Sequence, residues 1–259
     1  MYELDKKISN WLSDYLKNNN LDSFVIGISG GIDSAVTSTL CAITGYKTYV
    51  VVMPIHQKQD ETDRGLEHCN WLKKKYSNVE QIEVDLTSAF DHFKSVFPKN
   101  FDDKLALANT RARIRMSSLY LIAGNTNGIV VGTGNKVEDF GVGFFTKYGD
   151  GGVDISPIAD LMKSDVYKLG KTLGVAKSIM EAKPTDGLWD DDRTDEDQIG
   201  ASYDEIEFIM KNIDKKSNKI FTSRQEEVYQ LYKNLNSKNK HKMNPIPVCK
   251  IPESLKNSI

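Results

Sequence analysis

The sequence has few cysteines, and its three, Cys41, Cys69 and Cys249, are widely spaced. An odd, scattered set forms neither a disulfide framework nor a CxxC metal pattern. A reducing, cytoplasmic setting is therefore expected. No apolar run approaches the roughly 18 residues of a membrane span. Glu3 and Asp5 stand where a signal peptide would carry its basic and apolar stretches. Neither membrane insertion nor secretion is expected. A surplus of positive charge is missing too: 34 Lys and Arg stand against 36 Asp and Glu, a formal net charge of -2. That disfavours a protein whose main task is to grip a nucleic-acid backbone. No internal repeat is visible. What remains, 39% hydrophobic and 27% charged residues over 259 positions, suits a globular chain with a sizeable core. At about 150 residues per domain this is one large domain or two small ones, and the pattern of elements favours a single domain over 1–259.

Apolar residues recur at helical spacing from Leu4 to Leu16, predicting an amphipathic opening helix. Phe24–Ile28 is a short run of β-formers and reads as a buried strand. A helix pattern follows Ser29-Gly30-Gly31 and ends at Gly45. Thr48–Met53 predicts a second strand, Thr62–Tyr76 a helix, Val79–Val84 a third strand and Leu86–Phe97 a helix closed by Pro98. Lys104–Ala123 predicts a long helix and Ile129–Thr133 a fourth strand. Strands alternating with helices imply an α/β fold, an open doubly wound, mostly parallel sheet with helices on both faces. Ligands of such sheets sit beyond the C-terminal strand ends, where the strand order reverses. The second half is less regular. Residues 134–156 hold six of the 18 glycines and read as loop. Lys163–Leu173 and Tyr203–Ile213 read as helices, and residues 184–197, with six Asp and one Glu, as a mobile loop. Ser217-Asn218 and Asn234–Asn239 are expected to punctuate a last helix, with a polar Lys/Asn-rich tail after residue 233.

The strongest local signal is Ser29-Gly30-Gly31-Ile32-Asp33-Ser34, between the first strand and the next helix. Two glycines let the backbone turn tightly and approach a ligand. The N–H groups at the helix start favour an anion, and the Ser29 and Ser34 hydroxyls add donors. No Gly-Lys-Ser/Thr follows, so this is not a P-loop, and it is not GxGxxG. Asp33 is informative because a carboxylate beside a phosphate is repulsive unless a cation lies between them. The combination suggests a magnesium-bound polyphosphate. The plainer alternative is a glycine turn with Asp33 as a helix cap. Glu138 falls just past the fourth strand, on the ligand-binding edge. It could pair with Asp33 on magnesium, or be a surface glutamate.

Ser-Gly-Gly-Ile-Asp-Ser resembles the pyrophosphate loop of the N-type ATP pyrophosphatases, which cleave ATP to AMP and pyrophosphate. Three further segments, Asn109–Met116, Gly132–Glu138 and Phe145–Gly152, look like ammonia-dependent NAD synthetase, as do Pro184-Thr185, Asp195-Glu196, Gly200–Tyr203 and His241-Lys242. The resemblance covers nearly the whole chain. It implies a Rossmann-like, adenine nucleotide alpha hydrolase-like fold. It also implies amidation of deamido-NAD by ATP and ammonia through an adenylated intermediate, with magnesium. A homodimer with the dinucleotide site at the subunit interface is implied as well.

Residue by residue, the resemblance implies ATP contacts at Gly27, Ile28, the Ser29–Ser34 loop, Thr133, Lys163 and Thr185, with magnesium on Asp33 and Glu138. It implies deamido-NAD contacts at Arg113, Lys147, Asp154, His241 and Lys242. Asp150 is the candidate for orienting ammonia, with Asp154 the alternative. Unaided, Arg111, Arg113 and Arg115 read as a solvated helix face and Lys163 as a surface lysine. Lys147–Asp154 reads as a glycine-rich turn with solvated charges, and Lys238–Lys242 as a basic run. Phe144 and Phe145 could flank the nicotinate ring, but adjacent aromatics are more often core. Residues 57–62 and 184–203 are expected to close over the site. No cysteine lies in a glycine-rich turn, Cys69 beside His68 falls mid-helix, and the remaining chain is short for an amidase domain, so free ammonia is the expected nitrogen source. Another N-type ATP pyrophosphatase, tRNA-modifying or amide-forming, is the nearest alternative. A non-catalytic nucleotide-binding protein is a more distant one.

Overall fold

In the computed structural model, residues 3–185, 194–213 and 220–256 are described. Four strands form one parallel sheet: β1 (Ser23–Gly27), β2 (Lys47–Val52), β3 (Val79–Glu83) and β4 (Gly128–Val130). Their order is β3-β2-β1-β4, with Val25 registered against Tyr49 on one side and Val130 on the other. β1 is apolar almost throughout because helices cover both faces of a central parallel strand. The alternation of its side chains divides the core. Phe24 and Ile26 join Val50 and Val52 under α1 (Glu3–Asn19), α2 (Ile32–Ile43), α3 (Gln59–Lys75) and α6 (Lys163–Leu173). Val25, Val51 and Val130 face the other way, toward α4 (Thr87–Ser95) and α5 (Lys104–Asn125). Successive strands run outward from β1 to β3, whereas β4 returns to the opposite side of β1. The order reverses between β1 and β4, which opens a crevice at their C-terminal ends.

A short α7 (Lys177–Met180) packs behind α6. A third cluster holds no strand residue. It joins a π-helical turn (Val137–Val142) to α8 (Asp195–Ile199), α9 (Tyr203–Asn212) and α10 (Ser223–Met243), with Tyr203, Ile206 and Ile209 at its centre. α11 (Glu253–Lys256) ends the described residues.

The fold class is as expected, and the differences are local. β4 stops at Val130, short of Thr133, and Val131 makes an isolated parallel bridge to Ile155. Part of the glycine-rich stretch expected as loop is the π-turn, closed by Gly143 at φ 66. α3 begins at Gln59, so it takes up most of the expected 57–62 loop. α8 takes the end of the expected 184–197 loop, held by a Thr194–Asp197 capping box. Ser217-Asn218 and residues 186–193 lie outside the described residues.

The largest correction is at the C-terminal side. α10 runs unbroken through Asn234–Asn239 to Met243, so the expected polar tail after 233 is helix at first. The asparagines serve a neighbour instead of ending the helix. Asn236 Nδ2 donates to Gly141 O at 2.7 Å and Asn239 Nδ2 to Val142 O at 2.8 Å. They satisfy carbonyls at the end of the π-turn, where a helix leaves such groups unpaired. Among the described residues no helix is long and apolar enough to cross a membrane.

Candidate active site

A cavity of about 610 Å³ opens at the β1/β4 crevice. The segment Gly27–Ser34 lines it, together with Thr133, Glu138, Asp150, Lys163, Thr185 and Lys242. Four other expected site residues, Arg113, Lys147, Asp154 and His241, do not line it.

The glycine–serine loop is tied by its own hydroxyls. Ser29 Oγ lies 3.1 Å from Ser34 Oγ and accepts from Gly31 N–H at 3.2 Å, while Ser34 Oγ donates to Gly31 O at 3.0 Å. α2 starts behind it with no side-chain cap, so its N-terminal N–H groups face the cavity end of the sheet. Gly30 sits at φ +83, and a Cβ there would stand 2.5 Å from the Glu61 carbonyl of α3. Both conditions call for glycine.

Asp33 is on the first turn of α2, Glu138 on the π-turn and Lys163 on the first turn of α6. Lys163 Nζ joins them, 2.6 Å from Asp33 Oδ2 and 2.9 Å from Glu138 Oε1. The lysine side chain is only 4% exposed. Burial alone would lower its pKa, but the two carboxylates outweigh that and push it up, so it stays an ammonium. Burial raises the Asp33 carboxyl above its usual value despite Lys163, with Glu138 adding to the rise. Glu138 also feels burial, but Lys163 and the Tyr203 hydroxyl bring it below its usual value. Two carboxylates share one ammonium, which leaves the cluster with one more negative than positive side chain when both are ionised.

That surplus fits a divalent cation. Among the described residues no group of three or more acidic, His or Cys side chains could hold a metal by itself. Asp33 and Glu138 offer two carboxylates, the number with which magnesium can bind when phosphate and water oxygens complete its shell.

Two residues given no role from the sequence organise this cluster. Asn135 is fully buried, donates to Asp33 Oδ1 at 3.1 Å and accepts from the N–H groups of Val137 and Glu138 at 3.1 and 3.2 Å. It ties α2 to the π-turn. Tyr203, on the first turn of α9, donates to Glu138 Oε1 at 2.6 Å. The sequence signal for Asn135 is its place in the Gly132–Glu138 segment, and that for Tyr203 its place in Gly200–Tyr203, neither of which singles out the side chain. By pattern alone Tyr203 is an ordinary core position of an amphipathic helix.

The cavity carries further acids. Asp150 is an exposed residue whose carboxyl accepts from Thr146 N–H at 3.0 Å, and the protein around that carboxyl desolvates it and raises its pKa. Asp139, which the sequence does not single out, lines the cavity, and burial, with Glu138 second, pushes its carboxyl up to about 8. The folded state thus holds a proton that the unfolded chain has lost above its usual value of 3.8. Its contribution to stability is present at low pH and lost as pH rises toward 8. Asp139→Asn is accordingly expected to raise the melting temperature at pH 8 by at least about 2 °C, and to change it little near pH 4. Melting curves at the two pH values check this. An equal shift at both would remove the protonation argument.

Of the three arginines, it is Arg115 that lines the cavity, donating to Met53 O at 2.9 Å and Gln57 Oε1 at 2.8 Å. Burial lowers its pKa to about 10, which leaves it charged. Arg111 lies over the Phe90 ring, 5.8 Å from its centroid. The expected Arg113 points to the exposed rim, donating to Lys147 O at 3.3 Å, and Lys147 Nζ donates to His241 O at 2.8 Å. Arg113, Lys147 and His241 thus meet on one exposed strip outside the cavity. Asp154 accepts from Val130 N–H and Tyr120 OH at 2.8 and 2.9 Å, tying the end of β4. Lys242 belongs to the last turn of α10 and donates to Gly143 O and Phe145 O, both at 2.8 Å. Phe144 and Phe145 both line the cavity. Of the histidines without an assigned role, His68 is buried against Ser38 Oγ at 2.9 Å, and burial holds it neutral with a pKa lowered to about 4. His56 lies 2.8 Å from Asp91 on the surface.

A doubly wound parallel sheet, with an uncapped helix start behind a glycine–serine loop and a lysine-bridged carboxylate pair beside it, defines an ATP-binding α/β protein. The chain belongs to the NAD synthase family, whose model matches residues 4–246. It is 37% identical over 228 residues to the NH(3)-dependent NAD(+) synthetase of Alkaliphilus metalliredigens, covering 80% of this chain and 85% of that one. It is 38% identical to the protein of the same name from Picrophilus torridus, covering 92% and 91%. Among solved structures, the NMN synthetase of Francisella tularensis superposes with a TM-score of 0.86 at 34% identity, covering 96% of this chain and 98% of that one.

Proposed function

We propose that this chain is an NAD synthetase that amidates the nicotinate carboxyl of deamido-NAD with ATP and free ammonia, releasing AMP and pyrophosphate. The observation that carries it is the Asp33–Lys163–Glu138 cluster beside the Ser29–Ser34 loop. The nicotinate carboxylate attacks the α-phosphorus, and the pyrophosphate leaves toward the α2 start and Lys163. A positive group aimed at the charge developing on the leaving oxygen lowers that barrier. Asp33 and Glu138 would hold magnesium there. When bound, it would neutralise phosphate charge and fix the polyphosphate conformation. Ammonia then attacks the adenylated carbonyl and AMP leaves. Asp150 lines the same cavity, where it would orient the ammonia and accept its proton. Gln57 and Glu61 of the 57–62 segment and Thr185 and Asp195 of the 184–203 segment also line it. These side chains in the wall would help to keep water from the adenylate.

Free ammonia as nitrogen source is supported by two of the three cysteines, the third, Cys249, being exposed in the Pro-flanked tail. Cys41 and Cys69 are buried, and burial pushes the Cys41 thiol well up and the Cys69 thiol to about 12. A thiol held protonated is a poor nucleophile for a glutaminase. The domain reading is a single catalytic unit. The third cluster supports it, because its Tyr203 reaches the same carboxylate that the sheet-borne loop faces.

The homodimer is supported by the surface. α5 buries only Ala108, Ala112 and Ala123 yet carries Leu105 and Leu121 at 56% and 67% exposure, with Phe97 and Phe101 nearby in sequence and also exposed. Exposed large apolar side chains such as Leu121, Phe97 and Phe101 suit a subunit contact. The cytoplasm remains the proposed location.

The test is purified protein with ATP, deamido-NAD, magnesium and either ammonium chloride or ammonium-free glutamine. NAD, AMP and pyrophosphate are expected in equal amounts with ammonium and not with glutamine. ADP and orthophosphate would rule the mechanism out. A second reading, amidation of nicotinate mononucleotide, is favoured by the close superposition on an NMN synthetase. It also suits the position of Arg113, Lys147 and His241 outside the cavity of the single chain. Running both nicotinate substrates side by side decides between them.

A further inference from the structure

Tyr203 touches both Glu138 and Lys163 of the lysine–carboxylate cluster without belonging to it. Its hydroxyl donates to Glu138 Oε1 at 2.6 Å and lies 3.4 Å from Asp195 Oδ2. Its ring stands under the Lys163 ammonium, 4.9 Å from Nζ to the centroid. The residue is 7% exposed, so these contacts are shielded from water. Its backbone is fixed as well: Tyr203 N–H donates to Glu196 Oε1 at 2.8 Å, and Ser202 caps α9 through a capping box with Glu205. α8 and α9 therefore meet the ATP-side cluster through this side chain.

We propose that Tyr203 is a positioning residue, which sets the orientation of Glu138 through its hydroxyl and of Lys163 through its ring, and so couples the α8–α9 layer to the nucleotide and metal site. A carboxylate on a one-turn π-helix has several rotamers, and Lys163 alone fixes only one end of the pair. A second donor on the same Glu138 oxygen selects one of these rotamers. The aromatic face favours the ammonium beneath the carboxylates, a cation–π contact strengthened by burial. The phenol stays a donor throughout, since burial and the surrounding carboxylates push its pKa far above neutrality.

The inference rests on the reading of Asp33, Glu138 and Lys163 as ATP-site groups, and the experiment separates the two. Affinities for Mn²⁺ with the non-hydrolysable α,β-methylene analogue of ATP are measured by calorimetry on the wild type, Tyr203→Phe and Tyr203→Leu, alongside steady-state kinetics. Tyr203→Phe keeps the ring and is expected to lower kcat about tenfold, with KM for the nicotinate substrate within about twofold, on the scale of one hydrogen bond to a charged group. Its affinity for the Mn²⁺–analogue pair falls about as much. Tyr203→Leu, which loses the ring too, falls further. Replacing Tyr203 by 3-fluorotyrosine keeps the hydroxyl in nearly the same shape and is expected to retain wild-type binding and turnover. Wild-type binding and kcat in a folded Tyr203→Phe would overturn the proposal. So would loss of both in the fluorotyrosine protein. A wild type that binds Mn²⁺ and the analogue but forms no amide would sink the functional reading, while the binding comparison still decides the role of Tyr203.

Discussion

Lys163→Met is expected to cost the protein both stability and turnover. Methionine keeps the stem packing but leaves Asp33 and Glu138, at 17% and 15% side-chain exposure, without their shared cation. Breaking a buried ion cluster by removing one partner costs about 3–5 kcal/mol, because a charge is left uncompensated. The pH dependence follows from the sign. In the variant both carboxyls lose the lysine that opposes burial, so their folded pKa values rise above the unfolded ones. The folded state then prefers them protonated, and the lost stability returns as pH falls toward 4 and is largest at pH 7 and above. Turnover is expected to fall at least about a hundredfold, the scale of losing one preorganised electrostatic contact at a developing charge. Urea unfolding at pH 5 and pH 8, with kinetics on the folded fraction, measures both effects. A variant equally stable at the two pH values would show that the carboxylates are not the reason for the loss.

Asp33→Asn and Glu138→Gln are each expected to lower turnover at least about a hundredfold while the protein remains folded. In Asp33→Asn the new amide still offers an oxygen to Asn135 Nδ2, and in Glu138→Gln the new amide still offers one to the Tyr203 hydroxyl. Each variant also leaves Lys163 with one full ion pair. What each loses is half the negative charge available to magnesium, so the magnesium concentration for half-maximal rate should rise in step with the fall in kcat. The double variant should be little worse than the poorer single one, because the two carboxylates act as a unit. Near-normal turnover in either folded variant would remove that residue from the site.

Local pattern carries the frame of this molecule. The strand expected at Phe24–Ile28 and found at Ser23–Gly27, and the helix at Lys163–Leu173, are legible because a buried parallel strand is largely apolar and an amphipathic helix must repeat near 3.6 residues. The Ser29–Ser34 loop is legible because its glycines, hydroxyls and carboxylate lie within six consecutive positions. The π-turn and the unbroken α10 are not legible, because their cause is mutual. Asparagines such as Asn236 and Asn239 compete with helix in most contexts, and here their amides are taken up by the carbonyls of a turn some 95 positions away.

The same division holds at the site. Composition, charge, the order of strands and helices and the phosphate-loop motif follow from properties that each residue carries along the chain. Which arginine enters the cavity does not. Arg113 and Arg115 are two positions apart on one helix, so they point to different sides. The docking of α5 on the sheet sends Arg115 inward to Met53 O and leaves Arg113 on the rim. The lysine bridge is a relation of the same kind. Lys163 lies 130 positions from Asp33 and 25 from Glu138. A lysine at a helix start looks like a surface residue until two carboxylates close over it. The Coulomb attraction that keeps it charged while buried exists only once the sheet, the π-turn and α6 have brought the three side chains within 3 Å.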